Sequence, residues 1–411
     1  IIVEGVSWTP LSFLLMSSVF RAADASFEEA SVMSGADVKE TFRSITLKLA
    51  MPAVLALMML IIIRAFEAFE IPALVGLPGN VYVLATDIYD SVHRSIPPNY
   101  GQAGAFSIGL LAIVILMLHF YNRLSRHAER YQTITGKGYR PRLMHLGKLK
   151  YVTTAILFFF FLMIIVLPVG ILLWASFLPY HQHFSFEAIQ TMTMKNYINV
   201  AKSQSLRLAV GNTLALGAGA ATLTAGFSAI CAWFAVRRYK CGWIIDQLAT
   251  APLVFPSIVL GVALLQVYLQ LPFPFYGTLA SIILASWIRD MPYGMRYSYA
   301  GILQIHTELE EASSICGARQ AKTFLNIVVP LVAPALVTCW LFVFLLAVRA
   351  VSLPILLIGP DSQVVAVTIF DMWQNGQITE LAAMGIAWML FMTLISSIFY
   401  LVAKRYGLTV R

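Results

Sequence analysis

Three clusters in this sequence carry residue types able to do chemistry. The first is an acidic run, Glu308-Leu309-Glu310-Glu311-Ala312-Ser313-Ser314-Ile315-Cys316-Gly317, set between long apolar stretches and followed by Ile327-Val328-Val329-Pro330. Carboxylates near the start of a short helix are favoured by its dipole and can pair with a basic surface. The glycine suits a turn or a close approach. That is docking chemistry rather than bond-breaking chemistry. The second cluster is Arg289-Asp290, midway along an apolar run at 278–304. Ionisable groups at such a depth default to a functional reading: either a gate or pathway pair, or a paired contact turned into the protein. The third is His181-Gln182-His183, whose imidazoles are common metal ligands but lack a clear third partner nearby. No catalytic, cofactor-binding or metal residue is assigned.

The acidic run occurs twice. Glu28-Glu29-Ala30-Ser31-Val32-Met33-Ser34-Gly35, continuing to Ile45-Thr46-Leu47, lies 282 residues upstream of its counterpart. At that one offset Glu28 and Glu29 meet Glu310 and Glu311, and Ala30-Ser31 meets Ala312-Ser313. Gly35-Ala36 meets Gly317-Ala318, Phe42 meets Phe324, and Pro10, Pro52, Pro72 and Thr86 meet Pro292, Pro334, Pro354 and Thr368. A gapless match over this length implies two copies of one unit. Ile1 would then correspond to Ile283, inside an apolar segment of the second copy. The first copy is therefore expected to be truncated, with about three helices missing upstream.

The elements that position these islands are set by composition. Of 411 residues, 59% are hydrophobic and only 12% charged, with a mean hydropathy of +0.78. A soluble domain carries about a quarter charged residues. The expected fold is an all-α integral membrane protein with about nine helices present. Three belong to the first copy (about 1–21, 42–66 and 103–121) and six to the second (about 151–178, 206–236, 243–270, 278–304, 329–350 and 381–403). Residues 67–102 read as a long connection outside the membrane. The expected organisation is 1–122 as the C-terminal part of a first half, 123–150 as a basic linker and 151–411 as a complete second half.

The formal charge of +8 flanks the apolar runs instead of forming a nucleic-acid patch, so no nucleic acid is expected. The linker carries Arg123, Arg126, Arg130, Lys137, Arg140, Arg142, Lys148 and Lys150 against the single acid Glu129, which places it in the cytoplasm. Alternation then puts Arg237-Arg238-Tyr239-Lys240, both acidic islands and Lys404-Arg405 on the cytoplasmic side too. Gly136-Lys137-Gly138 does not make a phosphate loop, because no Gly-x-x-x-x-Gly-Lys-Ser/Thr occurs. Four cysteines without paired spacing read as free thiols. Small residues crowd 211–229, as close helix packing or a pathway-lining helix would require.

The islands carry a resemblance. Glu311-Ala312-Ser313, then Gly317, then Ile327-Val328-Val329-Pro330 resembles the cytoplasmic loop of binding-protein-dependent ABC importer permeases. So does Glu29-Ala30-Ser31, then Gly35, then Ile45-Thr46-Leu47, although Lys48 stands where the family has proline. The resemblance implies a duplicated type I ABC importer transmembrane domain in the bacterial inner membrane. It also implies that Glu28, Glu29, Ala30, Gly35, Glu310, Glu311, Ala312 and Gly317 form two coupling loops. Each would dock one ATP-binding cassette ATPase subunit, with ATP bound by those partners and no cofactor in this chain. A periplasmic solute-binding protein and membrane lipid complete the implied partners.

The fused two-copy arrangement, Glu67-Ala68-Phe69-Glu70-Ile71-Pro72 and the linker's Thr135-Gly136-Lys137-Gly138-Tyr139-Arg140 resemble the ferric-iron permeases. Neighbouring groups carry polyamines, thiamine, phosphonates or sulfate, so the motif does not itself select iron. A repeat-built secondary transporter is the rival of another class. It needs ion-coupling groups within the membrane, and only Arg289-Asp290 offers itself. An intramembrane enzyme lacks a nucleophile constellation.

Overall fold

The computed structural model describes residues 2–22, 25–128, 147, 149–237, 239 and 241–405. Most of the basic linker (129–146 and Lys148), together with Arg238 and Lys240 of the second basic cluster, lies outside the described residues. The chain divides into two compact units: residues 1–90 with 105–167, and residues 91–104 with 168–411.

Helices account for nearly all of the described structure. In chain order they are α1 (Ile2–Ala22), α2 (Ala25–Met33), α3 (Val38–Thr41), α4 (Leu47–Glu67), α5 (Leu84–His93), α6 (Tyr100–Ala128) and α7 (Leu149–Phe161). They continue as α8 (Leu167–Ser176), α9 (Phe186–Gln190), α10 (Lys195–Lys202), α11 (Gln204–Val236), α12 (Gly242–Thr250), α13 (Ser257–Leu269) and α14 (Leu279–Leu303). The last are α15 (Glu308–Ile315), α16 (Gln320–Thr323), α17 (Val329–Arg349), α18 (Pro354–Leu357), α19 (Val365–Gln374) and α20 (Ile378–Arg405). Among the described residues, seven helical stretches are long and apolar enough to cross a membrane: 2–20, 39–67, 100–121, 149–176, 204–236, 320–349 and 378–399. The all-α membrane fold expected from composition is the one observed.

Two spans depart from the expected pattern. The run at 243–270 was expected to be one helix; it is two, meeting at 109°. Proline disfavours a helical conformation in the residue before it, and Phe255, just before Pro256, is extended at φ −91°, ψ 119°. Pro252 has already tightened the preceding turn into 3-10 geometry over Ala251–Val254. The run at 278–304 does form one continuous helix, α14, but it contains Arg289, Asp290 and Arg296 and falls short of the apolar character of the other seven. Its polar groups are tolerated because much of it is covered by protein.

In the second unit, α11 is the central element. It is 33 residues long, or about 50 Å at 1.5 Å per residue, and it packs against α14 and α17. The small residues expected at 211–229 do the packing: Thr213, Gly217, Ala220, Ala221, Thr224, Ala225, Ser228 and Ala229 are all buried. A Cβ on Gly294 of α14 would lie 2.6 Å from Thr224 Cγ2, and one on Gly217 would lie 2.7 Å from Val348 Cγ2 of α17. Such approach is what small residues permit between membrane helices. Ser228 and Ser298 add a buried hydroxyl contact of 2.8 Å between α11 and α14.

The first unit packs α1 on α4. Beyond α4, in the stretch expected to be a plain connection, Pro72–Gly76 forms a wide π-type turn. Phe69, fully buried, meets Tyr89 of α5 with ring centroids 5.4 Å apart. The second-half counterpart of this stretch holds α18 and α19. On α19, burial pushes the Asp371 carboxyl up from its usual range.

Candidate functional site: two matched docking helices

The two acidic islands fold into the same structure, at the same offset, within separate units. Helix α2 precedes α3, a π-type turn at Phe42–Thr46 and then α4. Helix α15 precedes α16, a π-type turn at Phe324–Val328 and then α17. From the short helices α3 and α16 onward, every boundary in this series is displaced by 282 residues.

Each acidic helix ends in the same way. Gly317 has φ +82° and Gly35 has φ +89°. Ala318 N–H donates to the Ser313 carbonyl at 3.1 Å, and Gly317 N–H donates to that of Ser314 at 3.0 Å. In the first island, Ala36 N–H donates to Ser31 at 3.2 Å and Gly35 N–H to Val32 at 3.0 Å. This is the Schellman closure, in which a left-handed residue lets two late carbonyls find donors. A Cβ at either glycine would meet nothing within 4 Å. Within the chain, then, glycine is required by the left-handed dihedral and not by crowding.

A second matched device holds each helix to the next. Ser31 Oγ lies 2.9 Å from Thr41 Oγ1, and Ser313 Oγ lies 2.8 Å from Thr323 Oγ1. Both threonines are buried, at 5% and 3% exposure. Ser31 and Ser313 therefore have matching structural partners in the two islands.

The four acids divide into two pairs. Glu29 and Glu311 are exposed, as are Ala30 and Ala312. Beside them stand exposed apolar side chains at matching positions: Phe27 and Met33 in the first island (45% and 89%), Leu309 and Ile315 in the second (47% and 87%). Glu28 and Glu310 turn inward. Glu28 Oε1 accepts from Thr46 Oγ1 at 2.6 Å. Glu310 accepts from Trp233 Nε1 at 3.0 Å and from Arg237 Nε at 2.8 Å, both contributed by the C-terminal end of α11. The adjacent placement of two acids in the sequence did not separate these roles. Trp233 was not singled out as a site residue, and Arg237 was read only as part of a basic cluster. The Ser–Thr pairs were visible in principle, since both residues recur at the offset.

Arg289 and Asp290 form a fork within α14: Nε and Nη2 of Arg289 reach Oδ1 and Oδ2 of Asp290 at 2.8 and 2.7 Å. Asp290 is 1% exposed. The pair is thus internal to the second unit. His181 and His183 are exposed, and among the described residues no group of three or more His, Cys, Asp or Glu is placed to hold a metal.

A family described as the binding-protein-dependent transport system inner membrane component matches residues 1–132 and 221–408, which include both islands. The chain belongs to this family, the permeases of binding-protein-dependent ABC importers. As a permease of this family it is a multi-pass inner-membrane protein. The chain is 28% identical over 390 residues to the ferric transport system permease protein FbpB of Actinobacillus pleuropneumoniae, covering 93% of this chain and 55% of that protein. It is 26% identical over 195 residues to the putrescine transport system permease protein PotI of Escherichia coli K12, covering 46% of this chain and 69% of that protein. This permease thus spans a little over half the length of that ferric permease and of a second from Haemophilus influenzae. A bacterial alginate ABC transporter, solved with a pentasaccharide-bound periplasmic protein, superimposes with a TM-score of 0.51 at 16% identity over 63% of this chain and 95% of that one. That likeness supports the fold.

Proposed function

We propose that this chain is a permease for ferric iron delivered by a periplasmic binding protein, and that its two docking helices each receive one ATPase subunit. The observation that carries the docking half of this reading is the matched exposed face: Glu29 between Phe27 and Met33, and Glu311 between Leu309 and Ile315. An acid bordered by bare apolar side chains suits a groove with an apolar floor and a basic rim, the usual composition of a specific interface. ATP is hydrolysed on the partners, and the chain alternates access between the membrane faces. In this reading the docking helices, the basic linker and the C-terminus face the cytoplasm. The halves are 1–122 and 151–411, joined by 123–150.

Iron is favoured over the other solutes by coverage. Two relatives named as ferric transport permeases match 93% and 88% of the chain. The putrescine and 2-aminoethylphosphonate permeases each match 46%. Charge reversal tests the docking reading. The double variant Glu29→Arg/Glu311→Arg should lose the co-purifying ATPase while the helical signal and thermal midpoint stay those of wild type. Normal ATPase recovery and normal uptake in that variant would sink it. Uptake of labelled ferric iron against labelled putrescine, by the complete complex in vesicles, decides the substrate.

A further inference from the structure

Glu310 belongs to the docking helix but does not face outward. Its Oε1 accepts from Arg237 Nε at 2.8 Å and lies 2.6 Å from Arg237 Nη2, while its Oε2 accepts from Trp233 Nε1 at 3.0 Å. Arg237 Nη2 also donates to the carbonyl of Ile305 at 3.0 Å, in the turn between α14 and α15. The side chains of Arg237 and Glu310 are only 13% and 15% exposed. One guanidinium therefore ties the end of α11 to the loop before α15 and to α15 itself. Trp233 fastens the far side: its ring lies 5.0 Å from that of Phe324, in the turn that leads into α17. The same ring belongs to an apolar cluster with Met295, Ile302, Val328 and Val332, drawn from α14, α17 and the turn before it.

We propose that Arg237, Glu310 and Trp233 form a strut that makes the second docking helix and α11 move as one body, so that force applied to α15 reaches the central helix of the unit. This deepens the docking reading and rests on it. The positions offer good leverage. Arg237 sits at the C-terminal end of a helix, where a cation is favoured. A charge-assisted contact, here two guanidinium nitrogens on one carboxylate oxygen, is stronger than a neutral hydrogen bond. In the first island Glu28 accepts from Thr46 inside its own hairpin. Arg237, Glu310 and Trp233 are positioning residues: they transmit, and they touch neither solute nor nucleotide.

The test compares the full complex with its ATPase and binding-protein partners, using Arg237→Ala, Arg237→Lys and the exchanged pair Arg237→Glu/Glu310→Arg. The readouts are ATPase recovery, ATP hydrolysed per solute carried, and the nucleotide-dependent change in distance between spin labels on α11 and α15. The expected result is that Arg237→Ala keeps its ATPase and its hydrolysis but loses uptake by roughly 5- to 150-fold, the usual range of coupling between sites. Arg237→Lys, which keeps the charge but not the several donors, falls between, and the exchanged pair, which restores the ion pair but not the bonds to Ile305 and Trp233, recovers part of the loss. In the wild type the label distance stays fixed through the nucleotide cycle; in Arg237→Ala it changes. An unchanged ratio of ATP to solute in Arg237→Ala overturns the strut. So does an Arg237→Ala complex that fails to assemble and is not restored by the exchange. A wild-type chain that purifies without an ATPase overturns the docking reading itself, before any variant is compared.

Discussion

The hydroxyl of Ser313 lies 2.8 Å from the hydroxyl of Thr323, and Ser31 and Thr41 repeat that contact at 2.9 Å in the other half. Each bond closes the hairpin between an acidic helix, α2 or α15, and the short helix that follows it. A net contribution of about 1 kcal/mol is typical for such a bond. Ser313→Ala should therefore lower the unfolding free energy by about that amount. In a double-mutant cycle with Thr323→Val, the two losses should fail to add, because the residues share one interaction. Thermal or denaturant unfolding of the purified protein measures both. Additive losses would show that the hydroxyls do not interact.

Gly317 and Gly35 make a second prediction. Their φ values of +82° and +89° lie in the left-handed region, and nothing would crowd an added Cβ. Gly317→Ala should cost roughly 1–2 kcal/mol from the dihedral alone. Gly317→Asn should cost less, since asparagine tolerates that conformation better. Unfolding midpoints of the two variants give the order. Equal losses would mean that something other than the backbone dihedral governs the position.

The repeat and the spans were legible because each rests on many residues. An offset shared by Glu28, Gly35, Phe42 and Pro52 needs no knowledge of tertiary structure, and a run of twenty apolar residues has few uses other than a span. The break at Phe255 was not legible. Pro52, Pro292 and Pro334 all sit inside continuous helices, so a proline in an apolar run did not announce a bend of 109°. What differs at Pro256 is the backbone before it, a 3-10 turn over Ala251–Val254 and an extended Phe255; Pro330 and Pro334 have the same spacing as Pro252 and Pro256 yet lie in one continuous helix. The division of the acids was hidden for another reason. Adjacent residues on a helix project about 100° apart, so one of Glu310 and Glu311 must face differently from the other. Which one turns inward is decided by Trp233 and Arg237, more than 70 residues earlier in the chain, and no local pattern carries that information.

The Arg289–Asp290 fork yields a prediction that separates a structural role from a gating one. Asp290 is 1% exposed and faces Arg289 through two bonds. Removing one member of a buried ion pair typically costs about 3–5 kcal/mol, while replacing both by apolar residues is often nearly neutral. Asp290→Ala should be strongly destabilised. Arg289→Leu/Asp290→Leu should regain most of the stability and should still support uptake. A stable double variant that no longer transports would instead assign the pair to the pathway.

Asp371 of α19 gives a pH dependence with a definite sign. Burial holds its carboxyl above the ordinary value of 3.8, so the folded chain prefers the protonated form more than the unfolded chain does. Stability from this group is complete below pH 3.8 and is lost as pH rises through the raised folded value. At neutral pH the ionised carboxylate is a net cost. Asp371→Asn removes that cost without changing the shape of the side chain. It should raise the thermal midpoint at pH 7, and the advantage should shrink steadily as the pH is lowered toward 3.8. A midpoint difference that stays constant across that range would show that the gain, whatever its origin, does not come from the carboxyl's ionisation.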